Sequence, residues 1–218
     1  LRRGGGLDGG ILRITATEVA LRVFLLPVLS QFRARYPGVH IKLLNSSTPA
    51  AIEELNKGLA DLAFVTTPAD ITQKLRSTPL ADVQEVAVCG GAYRSLTGCK
   101  VTLEALSGYP LISLGEHGST YRLYRQFFAD HHVPFEPDIE AATADQILPM
   151  VKANLGIGFV PASFLSEDEG LSVYQIDLAE KIPLRKVCLV EAAQHPATAS
   201  IKELKKICFA HRLAADNL

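Results

Sequence analysis

Apolar positions along this chain switch repeatedly between the period of a strand and that of a helix. Residues 11–16, 39–44 and 61–65 are short apolar runs that read as strands. Between the first two, Val23, Leu26, Leu29, Phe32 and Tyr36 recur near i, i+3, i+4 spacing, which predicts a helix over about 19–36. Arg22, Gln31, Arg33 and Arg35 form its polar side. Pro27 lies inside this helix and removes a backbone hydrogen bond, so a kink or a late start is expected there. Pro37-Gly38 stops it. A second helix is announced by Thr48-Pro49, with Thr48 as the expected cap, and closed by Gly58. Short connections between alternating strands and helices predict parallel pairing in an α/β sheet.

The pattern continues with an extended run over 75–89, interrupted by Pro79. After the break at Gly90-Gly91, alternation resumes. Helices are expected over 102–106, 119–131 and 144–153, and strands over 110–114, 138–142, 157–160 and 172–176. A strand over 185–190 and a helix over 198–212 close the chain. Two α/β regions, with one extended segment leading in and another leading out, predict two Rossmann-like lobes joined by a two-strand hinge.

Composition narrows the classes. The 218 residues are 48% hydrophobic and 21% charged, with a net charge of -1, an ordinary globular balance. No basic cluster marks a nucleic-acid surface, and no apolar run is long enough to span a membrane. Residues 1–10 begin without an apolar core, so they read as a flexible leader or linker remnant and not a secretion signal. A cytoplasmic location is expected. Cys89, Cys99, Cys188 and Cys208 have no C-x-x-C spacing, so they are expected to be reduced, partly buried small hydrophobes. The six histidines form no metal-ligand spacing, and the signatures of a nucleophile elbow or a phosphate loop are absent. Gly156-Ile157-Gly158 is a fragment of a dinucleotide fingerprint, but it follows a helix where the fingerprint would open one. No catalytic residue, cofactor or metal is expected.

The candidate chemistry lies at the strand ends. Thr17-Glu18, Ser46-Ser47-Thr48, Thr66-Thr67, Gly118-Ser119-Thr120 and Thr143 all follow predicted strands. In open α/β sheets ligands sit beyond the carboxyl ends of strands, where helix starts offer unpaired N–H groups and a partial positive charge. One helix start favours an anion by about 0.3–1 kcal/mol; several together, with hydroxyl donors, would hold a small polar or anionic molecule. Taken singly, each Ser or Thr is better explained as a helix cap; it is the set as a whole that favours a small-molecule site. Glu18 suits a helix start as a dipole-stabilising residue, or else would face a ligand bearing a donor or positive group. Arg122, in the first turn of its helix, either meets an anion or faces solvent. His117 lies beside the set.

The ordered set of motifs resembles the effector-binding domain of LysR-type transcriptional regulators. It begins with Ile11-Leu12-Arg13-Ile14-Thr15-Ala16-Thr17 and continues through Phe24-Leu25-Leu26-Pro27 and Phe32-Arg33-Ala34-Arg35-Tyr36-Pro37-Gly38-Val39. Leu55, Gly58 and Asp61-Leu62-Ala63-Phe64 follow. Gly118-Ser119-Thr120 with Arg122, and Met150-Val151-Lys152-Ala153-Asn154-Leu155-Gly156-Ile157-Gly158-Phe159-Val160-Pro161, complete it. The resemblance implies a fold like type II periplasmic binding proteins, with lobe one over about 11–87 and 188–218 and lobe two over 88–187. It implies an effector site in the interlobe cleft, at the strand ends named above, and antiparallel self-association as a homodimer or tetramer through the first long helix. DNA would be reached only through an N-terminal helix-turn-helix that this chain lacks. Glu18 and Val19 stand where many relatives have small or hydroxyl residues, which would admit an amine or amino acid as effector. A solute-binding protein of a transporter shares the fold, and an enzyme on an α/β scaffold would require a reactive pair in the cleft.

Overall fold

The computed structural model describes residues 9–166, 172–194 and 196–215; the expected leader lies outside them as far as residue 8. In chain order the elements are β1 (Ile11–Ala16), α1 (Glu18–Ala20), a π turn (Leu21–Leu25), α2 (Leu26–Arg35), β2 (His40–Asn45), α3 (Thr48–Asn56), β3 (Leu62–Thr66) and β4 (Leu75–Val83). Next come β5 (Glu85–Gly90), a 3-10 turn (Gly91–Leu96), β6 (Lys100–Val101), α4 (Leu103–Leu106), β7 (Ile112–Leu114), α5 (Ser119–Asp130) and β8 (Ile139–Ala141). A 3-10 turn (Ala144–Gln146), α6 (Ile147–Lys152), β9 (Gly158–Pro161), α7 (Ser163–Ser166), β10 (Val173–Leu178), β11 (Arg185–Ala192) and α8 (Ala199–Ala215) follow.

Two compact units result, 1–81 with 186–218 and 82–185. The borders fall at 81/82 and 185/186, ahead of the expected 87/88 and 187/188. Strand partners explain the difference. β5 pairs with β9 and β10 of the second unit, whereas Val187 already pairs with Thr66 of the first.

The first unit is a five-stranded sheet in the order β2-β1-β3-β11-β4. β1 is parallel to both β2 and β3, as the short connections predict, and β11 runs antiparallel to β3. On one face Ala51, Ile52 and Leu55 of α3 pack with Ala63, Val65, Cys188 and Val190. Alternation puts Leu12, Ile14, Leu62 and Phe64 on the other face, all buried, as are Phe24, Phe32, Leu204 and Ile207 of the helices. There α2 and α8 are tied by Tyr36 Oη donating to Glu203 Oε2 at 2.8 Å.

Two prolines are accommodated differently from expectation. The helix holding Pro27 does not start late; it runs from Glu18 to Arg35, and its irregularity is the π turn just ahead of Pro27. The Leu26 N–H reaches back to Leu21 O, a wider step that accommodates a residue with no N–H of its own. Pro79 does not end β4, because β4 is the outer strand of the sheet and an outer strand tolerates a missing donor.

The second unit holds a four-stranded sheet in the order β6-β10-β5-β9 and a parallel pair β7-β8. Ile112 N donates to Ile157 O, and Ile157 N to Pro110 O, each at 2.8 Å, which links the pair to the entry of β9. Its core is aromatic: Phe127, Phe128 and Tyr124 of α5 meet Phe159 of β9, with the Tyr124 and Phe159 ring centroids 4.4 Å apart. The two glycines of the dinucleotide-like fragment have a packing role. A Cβ on Gly156 would lie 2.6 Å from Pro110 O, and one on Gly158 2.7 Å from Ile147 Cγ2. All four cysteines are free; three are buried, while Cys99 is exposed, in contrast to the expected burial.

Candidate functional site

In the first unit, parallel pairing brings three strand ends to one edge. Ala16 is in register with Asn45 and Phe64, and Thr17 N and Ser46 N donate to Phe64 O and Ala16 O, each at 3.0 Å. Thr17, Ser46-Ser47-Thr48 and Thr66-Thr67 therefore emerge together, beside the starts of α1 and α3.

Their hydroxyls divide between capping and tying. Thr17 caps α1, its Oγ1 accepting from Ala20 N at 3.1 Å and lying 2.7 Å from Thr66 Oγ1. Ser47, and not Thr48, caps α3, accepting from Ala50 N at 3.4 Å. Thr48 is already helical and is 2% exposed. Its Oγ1 donates to Thr66 O at 2.8 Å and accepts from Thr66 N at 3.3 Å, so it anchors α3 to β3. Thr67 Oγ1 accepts from Lys186 N at 2.8 Å. Ser46 Oγ donates to the Glu54 carboxylate at 2.9 Å. Glu18 stands in the first turn of α1, where the dipole favours it, and accepts from Asn45 Nδ2 at 2.7 Å. Asn45 and Glu54 were not foreseen as members of this edge; neither belongs to a motif, and each is brought there only by pairing and helix placement. An open groove lined by Leu55, Lys57, Lys74 and Leu75 lies at the opposite edge of the same sheet.

In the second unit, Leu114 and Ala141 are in register at the ends of the parallel pair β7-β8. Gly118-Ser119-Thr120 and Thr143 follow those ends. Gly118 closes a turn onto Gly115 O at 3.0 Å and caps α5 through its backbone. Ser119 is buried, Thr120 is half-buried, and Arg122 is exposed and partnered. His117 sits on the exposed turn ahead of α5, 3.8 Å from Glu116. Thr143 opens its 3-10 turn with a capping box, in which Gln146 Oε1 accepts from Thr143 N at 3.4 Å; the same oxygen accepts from Ala142 N at 2.8 Å.

Beneath the α5 start lies a charged group that motif reading missed. Arg185 Nη1 donates to Glu85 Oε1 at 2.8 Å, and Arg185 Nη2 donates to Thr120 Oγ1 at 3.0 Å. Tyr124 Oη donates to the other oxygen of Glu85. The paired side chains are 1% and 2% exposed. Burial, then the neighbouring Glu85 carboxylate, holds the Tyr124 phenol well above its ordinary range. One signal was present: Glu85 alternates in phase with Val83, Ala87 and Cys89, all buried, so a carboxylate was placed on an inward face. Its partner is a hundred positions away and carries no local mark.

The arrangement offers helix-start amides and hydroxyls, suited to binding. Among the described residues no group of three His, Cys, Asp or Glu is placed to hold a metal ion, and no helix is long and apolar enough to cross a membrane.

Comparison with known proteins bears on these edges. The family described as "LysR substrate binding domain" matches residues 5–212. The regulator CysB of Burkholderia cenocepacia is 30% identical over 153 residues, which is 70% of this chain and 49% of that protein. The chain thus spans about half the length of that relative and of several others. Among solved structures, the effector-binding domain of QuiR in complex with shikimate superposes with a TM-score of 0.82 at 15% identity, covering 94% of this chain and 98% of that one. The regulatory domain of Synechocystis PCC6803 CcmR in complex with 2-PG gives 0.81 at 18% identity, covering 93% and 97%.

Proposed function

From the premise that the chain belongs to the LysR substrate-binding domain family, we propose that it is the effector-sensing part of a LysR-type transcriptional regulator. The effector is a small polar or anionic metabolite. Each unit offers binding groups for such a molecule at its own strand-end edge: the amides and hydroxyls of Thr17, Ser46, Ser47, Thr66 and Thr67 in the first unit, and those of Gly118, Ser119, Thr120 and Thr143 in the second. Thr48 positions α3 and is not a direct contact. The observation that carries the reading is that β1, β2 and β3 end together, so that two helix starts and their hydroxyls share one edge.

Glu18, held by Asn45, is an acidic group of the first unit's edge, beside Glu54, which is engaged by Ser46, and it favours an effector with an amine or hydroxyl beside its anionic part. The domain acts by binding alone: occupancy favours one conformational state, by no more than the effector's differential affinity for the two. DNA is contacted through a helix-turn-helix in the remainder of a longer cytoplasmic protein. The regulator CysB, among relatives of this chain, favours this reading over solute transport.

A thermal-shift screen tests the proposal, with shikimate, benzoate and a set of amino acids as first probes. A compound at a hundred times its Kd stabilises the protein by about 2.7 kcal/mol. Thr17→Val and Ser119→Ala should each weaken that response. A complete screen with no stabilising compound would sink the sensing reading.

Self-association accompanies it. β2 is the outer strand of its sheet, Leu43 and Leu44 on it are 40% and 46% exposed, and Leu26 on the first helix is 50% exposed. A second copy of the chain covers this surface. Sedimentation should show a dimer that Leu44→Glu dissociates; a wild-type monomer at all concentrations would refute it.

A further inference from the structure

We propose that the buried Glu85–Arg185 pair is a positioning element that ties the start of α5 to β5, which opens just after the chain enters the second unit, and to β11, by which the chain leaves it. It rests on the reading above, in which the α5 start belongs to the effector site, and it adds how occupancy there reaches the connections between the units.

The placement of the two charges carries the argument. The chain passes into the second unit at 81/82, within β4, and Glu85 opens the next strand. It passes out at 185/186, and Arg185 is both the last residue of that unit and the first of β11. Thr120 and Tyr124 lie four positions apart on α5, on one helical face. Arg185 grips Thr120 and Glu85 grips Tyr124, while the two charges grip each other, so the four side chains close a ring.

The guanidinium is a rigid planar fork. With one Nη on Thr120 and the other on Glu85, Thr120 cannot shift or turn without moving the fork against the carboxylate. A buried pair of this kind is weak as a stabiliser, since apolar residues of like volume serve stability as well or better. What it does supply is a fixed geometry linking three segments distant in sequence. Two of these are β5, which follows the entry border, and β11, which crosses the exit border, and the third is the helix start that offers Ser119 and Thr120.

Hydrogen exchange on the free protein tests the link, comparing wild type with Thr120→Val and Thr120→Ser. Valine keeps the shape and removes the acceptor; serine keeps the acceptor. In Thr120→Val, amides of 85–88 and 186–189 should exchange about tenfold faster, the loss of one hydrogen bond to a charged group. Amides of α8 should be unchanged, and Thr120→Ser should restore the wild-type pattern. Unaltered exchange at 85–88 and 186–189 in Thr120→Val would overturn the proposal. So would an increase spread evenly over the whole chain, which would mark a merely structural role. The measurement needs no effector, so an empty metabolite screen and a failed exchange experiment count against different statements.

Discussion

Replacing Arg185 with Met gives a direct measure of what the charge cluster costs and holds. The substitution leaves the Glu85 carboxylate with Tyr124 as its remaining donor in the ring. Both paired side chains are nearly inaccessible, at 1% and 2% exposure, so solvent does not screen the loss. Breaking a buried pair by removing one partner costs about 3–5 kcal/mol. A domain is stable by only about 5–15 kcal/mol in total. At about 2–4 °C per kcal/mol for a chain of this size, Tm should fall by about 6–20 °C. Glu85→Leu combined with Arg185→Met removes both charges and fills the space with apolar groups, and should recover most of the loss. Urea unfolding followed by circular dichroism, on both single variants and the double, gives the coupling energy directly. A single variant within about 1 kcal/mol of wild type would refute the reasoning. A double variant as unstable as Arg185→Met would refute it equally, because then packing and not an orphaned charge would set the cost.

Three other outcomes follow from the same chemistry. The Tyr124 phenol is raised above its ordinary value of 10.0, so the folded state holds that proton where the unfolded state has lost it. Its contribution to stability is therefore complete below about pH 10 and is lost as pH rises further; absorbance titration should leave one of the six tyrosines unionised until the chain unfolds, and six ionising together in the folded protein would contradict this. Burial pushes the Cys208 thiol up to about 12, so a thiol reagent at neutral pH should label exposed Cys99 promptly and Cys208 only on unfolding; equal rates would count against the packing described. Thr48→Val strips the Thr66 backbone of a donor and an acceptor in a buried place and should cost about 1–3 kcal/mol by chemical denaturation; an unaffected midpoint would return Thr48 to the list of direct effector contacts.

The sequence made most elements of the candidate site legible, because helix starts after strands have a local signature. Thr17 and Thr143 are caps that a residue type and its place after a strand announce. Which hydroxyl does what was less legible. Thr48 and Ser47 are adjacent and chemically alike, and only the entry angle of α3 decides that Ser47 caps while Thr48 turns inward to β3. Pro27 and Pro79 both looked like interruptions. The first is absorbed by a π turn and the second by an outer strand, and neither solution is written at the proline itself.

The sequence alone determined the alternation of strand and helix, the parallel pairing of the first three strands and the carboxyl edge on which their hydroxyls gather. These follow from apolar period, cap residues and short connections, all properties of a few neighbouring positions. The tertiary structure decided what depends on residues far apart along the chain. It set the unit borders by strand partnership, and gave Gly156 and Gly158 their place against Pro110 and Ile147. It also joined Glu85 to Arg185 beneath Thr120. A buried charge is tolerable only beside its partner, and the chain folds that partner into place from a separation no local pattern can span.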